Sequence, residues 1–151
     1  MHHIATSVRF LEDVLVECTF QDGKIYQFDM SIMFKKYPQL EELRRNRTLF
    51  ESGQNWGTGI YWNDELDFDC SSIYECGTLV GEVEVPLAKK VGVLLAGTRE
   101  DTRTTQKELA KLSGIHQADI SRIEDGKGNP TLKKIEKLFN AMGKSIEIKI
   151  K

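Results

Sequence analysis

Histidine and cysteine are scarce in this chain, and each shortage removes a class of function. Of three histidines among 151 residues, two are His2 and His3, and the first half has none after them. With no third ligand nearby, a metal site is not expected there. A catalytic first half is not expected either, because a nucleophile motif and a phosphate-cradling loop are also missing. The three cysteines, Cys18, Cys70 and Cys76, are odd in number and lack zinc-ligand spacing, so they read as reduced thiols of a cytoplasmic protein. No basic start runs into an apolar stretch, and no segment approaches a membrane span, so neither a signal peptide nor a membrane partner is expected. No cofactor is implied.

Charge is plentiful but unevenly placed. Residues 1–85 hold 7 Lys+Arg against 15 Asp+Glu, a net −8, whereas residues 86–151 hold 14 against 8, a net +6. The basic part suits a polyanion, and the acidic part would be repelled by it. This split predicts two domains: residues 1–80 as a small α+β domain, 81–86 as a linker ending at Pro86, and 87–151 as a helical domain.

In the acidic part, Val14, Val16, Cys18 and Phe20 alternate with Leu15, Glu17 and Thr19 before Asp22-Gly23. A return strand follows from Lys24 to Met30, with Tyr26, Phe28 and Met30 on one face. Asp-Gly between alternating runs is a strong hairpin signal. Ser31 is placed to cap a helix over Ile32–Lys36 that Pro38 interrupts, and Leu40, Leu43 and Phe50 suggest that helix resumes around Gln39–Arg47. A strand ending at Trp62, a turn at Asn63-Asp64 and the alternation around Leu66 and Phe68 complete an antiparallel sheet with one or two helices against it. Asp64, Glu65, Asp67 and Asp69 are either a solvated strand face or a cation cluster, although EF-hand spacing fails at Ser72. Tyr61, Trp62 and Tyr74 are either core or the lining of a ligand cleft.

In the basic part, Pro86 suits the first turn of a helix with Leu87, Val91, Leu94, Leu95 and Thr98 on one face. Gly92 and Gly97 should weaken it by roughly 1 kcal/mol each relative to Ala. Thr105 and Glu108 then form a capping box, and Leu109 and Leu112 give the next helix an apolar stripe. Ala110 permits a close crossing, and Gly114 suits a left-handed helix end. A second short helix restarts at His116 with Ile120 and Ile123 buried and Gln117, Ala118, Ser121 and Arg122 outward. Two short helices about a glycine turn are the layout of a helix-turn-helix whose second helix enters the major groove of double-stranded DNA. Pro130 and Thr131 open a last helix with Leu132, Ile135, Leu138, Phe139 and Met142 on one side, and Gly143 stops it. The tail from Lys144 to Lys151 has the period of a strand, with its isoleucines on one face. It is expected to pair with its own copy in a homodimer or with the N-terminal sheet.

The run Gln106-x-x-Leu109-Ala110, Gly114-Ile115, Ile120-Ser121-x-Ile123-Glu124 and Gly126-Lys127-x-Asn129-Pro130-Thr131 resembles the phage-repressor class, the family of Cro, lambda repressor and the XRE regulators. The resemblance implies a DNA-binding transcriptional regulator, with a helix-turn-helix domain of four to five helices and a C-terminal strand. It implies that Gln106 holds a phosphate and braces Gln117, which reads a base. It also implies that Arg99 pairs with Glu124, either buried or on the surface. A glutamine amide can bond adenine N6 and N7, and Ala118, Ser121 and Arg122 are the further base-reading candidates. Arg122 reads guanine or touches backbone, and Asp119 favours a cytosine amine or repels phosphate. Lys127, Asn129, Thr131 and Lys133 are phosphate candidates beside Gln106, with Lys134 a little further on. Where the family has a small and then an apolar residue before the capping position, this chain has Arg103 and Thr104, and Arg103 is free to reach a phosphate.

The first half resembles domain of unknown function 2442 over about residues 5–80. The likeness rests on the Phe20-x-Asp22-Gly23 hairpin, Leu43, Phe50 and the Ile60-x-Trp62-x-Asp64 strand. No activity follows from it; a protein or small-molecule partner is the expectation. Together the two parts predict a dimeric repressor on a pseudo-palindromic operator, or the antitoxin of a toxin–antitoxin pair whose first half binds a protein.

Overall fold

A computed structural model describes residues 2–150, which fall into two compact units, one ending at Glu84 and the other beginning at Val85. The first is α+β and the second is helical.

In the first unit, β1 (Ala5–Phe10), β2 (Leu15–Phe20), β3 (Lys24–Asp29) and β7 (Thr78–Glu82) form one antiparallel sheet in that order. A smaller sheet has the order β4 (Gln54–Asn55), β5 (Gly59–Asn63), β6 (Leu66–Asp69). The Asp22-Gly23 hairpin pairs Cys18 with Tyr26 and Val16 with Phe28, as the alternation predicts. The Ala5 amide joins the sheets by donating to the Gly57 carbonyl at 2.8 Å. Val16, Cys18, Phe28, Met30, Leu43, Phe50, Ile60 and Ile73 lie in one core, where Trp62 donates its indole N–H to the Phe50 carbonyl at 2.8 Å.

Several local expectations are corrected. Met30–Met33 is a single 3-10 turn, not an α-helix over Ile32–Lys36, and Asp29 rather than Ser31 caps it. Pro38 starts a second 3-10 turn, Pro38–Glu41, instead of breaking a helix. The helical content then divides into α1 (Glu42–Arg45) and α2 (Arg47–Glu51), because Asn46 turns extended and caps α2 through the Leu49 amide. Helix α3 (Cys70–Cys76) was not expected; Asp69, read as the end of an acidic strand, caps it. Strand β7 overlaps the stretch read as a boundary, since Leu79 pairs with Tyr26 and Glu82 with Lys24.

The helical unit holds α4 (Leu87–Asp101), α5 (Gln106–Ser113), α6 (Gln117–Glu124) and α7 (Leu132–Ala141), four helices among the described residues. Leu95, Leu109, Ile115, Ile120, Ile123, Leu138, Phe139 and Met142 are its core. Three leucines predicted inward point out: Leu87, Leu94 and Leu112 are all exposed, and so is Leu132 at the start of α7. On α4 the buried line instead runs through Gly92, Leu95 and Gly97. A Cβ on Gly92 would sit 2.6 Å from the Glu124 carbonyl oxygen and closer still to that of Ile123. Gly92 therefore sets how closely α4 approaches the end of α6.

Within the single chain residues 144–150 form no strand, since a strand needs a neighbour to complete its hydrogen bonds. Ile146 alone packs against the helical core. No described helix is long and apolar enough to cross a membrane.

Helix propensity alone predicts that Gly92→Ala stabilises the protein by about 1 kcal/mol. The crossing predicts the opposite sign, a loss of about 1–3 kcal/mol from overpacking, to be read from chemical denaturation at equilibrium.

Candidate nucleic-acid interface

Helix α5 begins with both halves of its capping box in place. The Thr105 hydroxyl accepts from the Glu108 amide at 3.1 Å, and Glu108 Oε2 accepts from the Thr105 amide at 2.7 Å. These bonds hold the Glu108 carboxyl below its ordinary range. Gly114 ends the helix at φ +69°, in the left-handed region where a side chain costs most. Ser113, buried beside it, gives its hydroxyl proton to the Leu109 carbonyl at 2.6 Å. Only Ile115 and His116 separate Gly114 from α6.

The turn before α5, where the chain departs from the repressor pattern, is built by the residues that depart. Arg103 takes φ +53°. The Thr104 amide donates to the Arg99 carbonyl at 2.9 Å, and the Thr104 carbonyl accepts from Arg99 Nη1 at 3.1 Å. A turn made from backbone hydrogen bonds and a threonine replaces the usual small and apolar pair.

Helix α6 is fixed at its far end by one carboxylate. Arg99 Nε and Nη2 donate to the two oxygens of Glu124 at 2.8 and 3.1 Å, and the Gln106 amide nitrogen donates to Oε2 at 2.8 Å. The Glu124 side chain is 8% exposed and that of Arg99 17%, so the pair is largely desolvated. The carboxylate holds the guanidinium above even its ordinary range. Helices α4, α5 and α6 therefore meet at Glu124. The resemblance implied that Gln106 braces Gln117; its described hydrogen bond runs to the end of the recognition helix instead.

With Ile120 and Ile123 inward, Gln117, Ala118 and Arg122 are exposed and Ser121 is half-buried. Gln117 and Ser121 are one turn apart, as are Ala118 and Arg122, so the four share a face. Among the described residues none of the Gln117, Ser121 and Arg122 side chains has a hydrogen-bond partner. Asp119 is held aside, accepting from Lys134 Nζ at 3.1 Å. That pairing neutralises the one acid on this side of α6 and occupies Lys134.

The other candidates are mixed. Lys127, Asn129, Thr131 and Lys133 are exposed after α6. Lys127 lies 3.7 Å from Asp125, an exposed pair worth little. The Thr131 hydroxyl is used as the cap of α7, accepting from the Lys134 amide at 3.2 Å. Sequence reasoning passed over Lys107, Lys111 and His116, which with Gln117 rim a shallow hollow of about 330 Å³ at the start of α6. Their signal was present, because two lysines four apart on α5 share one face.

In the acidic unit the aromatic trio does not gather. Trp62 is in the core, whereas its neighbour Tyr61 stacks on exposed Trp56 with ring centres 4.5 Å apart. Asp64 accepts from the Tyr61 hydroxyl at 2.7 Å and Asp69 caps α3, so two of the four acids have local work.

Glu124→Ala should cost about 2–3 kcal/mol in denaturant, below the roughly 3–5 of a fully buried pair because Arg99 keeps some water. A loss under about 0.5 kcal/mol would show the pair to be ornamental.

Comparison with known proteins agrees with this geometry. The family described as helix-turn-helix matches residues 98–149, and that described as protein of unknown function DUF2442 matches residues 5–77. An uncharacterized HTH-type transcriptional regulator of Haemophilus influenzae is 41% identical over 90 residues, 60% of this chain and 85% of that protein. Antitoxin HicB 2 of Photorhabdus laumondii is 38% identical over 66 residues, 44% of this chain and 48% of that protein, so the chain spans about half of that relative. A crystal structure of a putative DNA binding protein from Nitrosomonas europaea overlaps 93% of this chain and 84% of its own at 14% identity, with a TM-score of 0.42. With a repressor-type motif in register, a helix-turn-helix built as described and a regulator matched over most of its length, the chain belongs to the helix-turn-helix transcriptional regulators of the XRE, phage-repressor-like type.

Proposed function

We propose that this protein is a sequence-specific DNA-binding regulator that represses transcription as a dimer, by occupying a pseudo-palindromic operator. The observation that carries the reading is the α6 face: among the described residues Gln117, Ser121 and Arg122 are unpartnered polar side chains on a helix whose other end is clamped through Glu124. Such a face has hydrogen bonds to give, and its groups are held by the scaffold. Gln117 reads adenine, with Ala118, Ser121 and Arg122 extending the contact. Gln106, through its second amide N–H and the N-terminus of α5, holds a phosphate, joined by Lys127, Asn129, Lys133 and the backbone near Thr131. Two copies place their recognition helices about 34–36 Å apart, one turn of duplex. The tail joins the copies. No catalytic step belongs to this reading.

A second reading has one specific observation in its favour, the likeness to an antitoxin over 66 residues. In it the acidic unit, net −8 over residues 1–85, masks a basic toxin while the helical unit represses. A basic protein that co-purifies and loses its toxicity on binding would decide for it.

On a duplex selected from a random pool, Gln117→Ala should lose about 1–3 kcal/mol of affinity while binding to unrelated duplex hardly changes. An equal loss on both would remove Gln117 from the base-reading role. Deleting residues 146–151 should shift the sedimentation mass from dimer towards monomer, and an unchanged mass would show that the tail does not join the copies.

A further inference from the structure

Two segments offer an unpaired backbone edge among the described residues, and their chemistry is complementary. One is β6, last in the order β4-β5-β6. The Cys70 amide donates to the Thr58 carbonyl at 2.9 Å. By the alternation of an antiparallel ladder, Phe68 also turns its N–H and C=O to β5, leaving those of Asp67 and Asp69 on the outer edge. Leu66 and Phe68 are buried on one face while Asp67 and Asp69 are exposed on the other. A cleft of about 270 Å³ runs beside this edge, with Tyr37, Leu40, Phe68 and Ser72 in its wall.

The other segment is the tail. Ile146 is anchored on the helical core, and beyond it Ile148 and Ile150 are 71% and 97% exposed. Glu147 and Lys149 alternate with them, with Lys151 next in sequence. Lys149 and Lys151 have the same two-residue spacing in sequence as Asp67 and Asp69, and Ile148 and Ile150, which alternate with them, have the opposite parity.

We propose that residues 148–150 of one copy add, running parallel, to β6 of a second copy, making its three-stranded sheet four-stranded. This rests on the dimer proposed above. Lys149 then lies across from Asp67 on the outer face, with Glu147 beyond the end of β6, while Ile148 and Ile150 enter the cleft beside Tyr37 and Leu40. Pairing of the two tails with each other also matches charges, Glu147 against Lys149, but it yields a two-stranded ribbon, which is marginal alone. Addition to β6 extends a sheet that already has a core. The other edges are poorer hosts: β4 has only two residues, and β1 and β7 each carry an extra residue where their registers slip, at Thr6 and Val80, whereas the slip between β5 and β6 lies in β5, at Trp62.

Sedimentation equilibrium on the full chain tests the arrangement. Asp67 is exposed and caps no helix, so Asp67→Lys leaves the fold intact, which far-ultraviolet dichroism checks. It should weaken dimerisation about tenfold or more, since both docked edges of a two-fold dimer then oppose like charges. Lys149→Glu should do the same, and the double variant should recover most of the loss. A second measurement needs no variant: amide exchange at Asp67 and Asp69 should slow as concentration drives the wild-type chain from monomer to dimer. A stable dimer with Asp67→Lys unchanged, or with those two amides unprotected, would overturn the β6 arrangement and leave the dimer standing. A wild-type chain that stays monomeric at every concentration would overturn the dimer as well.

Discussion

The geometry of the helical unit depends on one buried carboxylate. Glu124 lies at the C-terminus of α6, where the helix dipole disfavours a negative charge. Burial adds a desolvation cost. Both are offset because Arg99 from α4 and Gln106 from α5 supply three donors to its two oxygens. An isolated helix of eight residues is unstable in water, so α6 exists and keeps its direction through such tertiary ties. The close approach at Gly92 serves the same end by bringing α4 against the carbonyls of Ile123 and Glu124. What faces outward on α6 is therefore set by what holds its last residue.

The acidic unit follows a different plan. Its core is aromatic and aliphatic, with Phe28 stacked on Phe68 and with Phe10 and Phe50 in edge contact. Its surface charge opposes that of the helical unit, which suits a part kept off a polyanion. Its edge strands leave backbone groups unpaired on their outer sides, the requirement for adding a strand.

Local chemistry was legible in the sequence, and non-local chemistry was not. The Asp22-Gly23 hairpin, the Thr105–Glu108 capping box, the left-handed Gly114 and the inward Ile120 and Ile123 each follow from residues within a few positions of one another. Leu87, Leu94 and Leu112 misled because periodicity finds an apolar stripe but not how far a neighbouring helix covers it. Gly92 misled for the complementary reason: its cost to α4 is local, while its benefit depends on carbonyls some thirty positions away, roughly the span of two packed helices in such folds. Helix α3 was hidden because Asp69 serves both a strand end and a cap, and β7 because its partner β3 lies far upstream. On α6, the outward placement of Gln117, Ala118 and Arg122 could be read from spacing alone. The grip of Glu124 on Gln106 could not, since it joins two residues through the interior.

The most direct test of the central claim is selection of duplexes from a random pool by the purified protein at moderate ionic strength, followed by sequencing. The account predicts enrichment of an inverted repeat whose half-sites are about one helical turn apart, bound at least about a thousandfold more tightly than scrambled duplex. A pool that returns without sequence preference would contradict it.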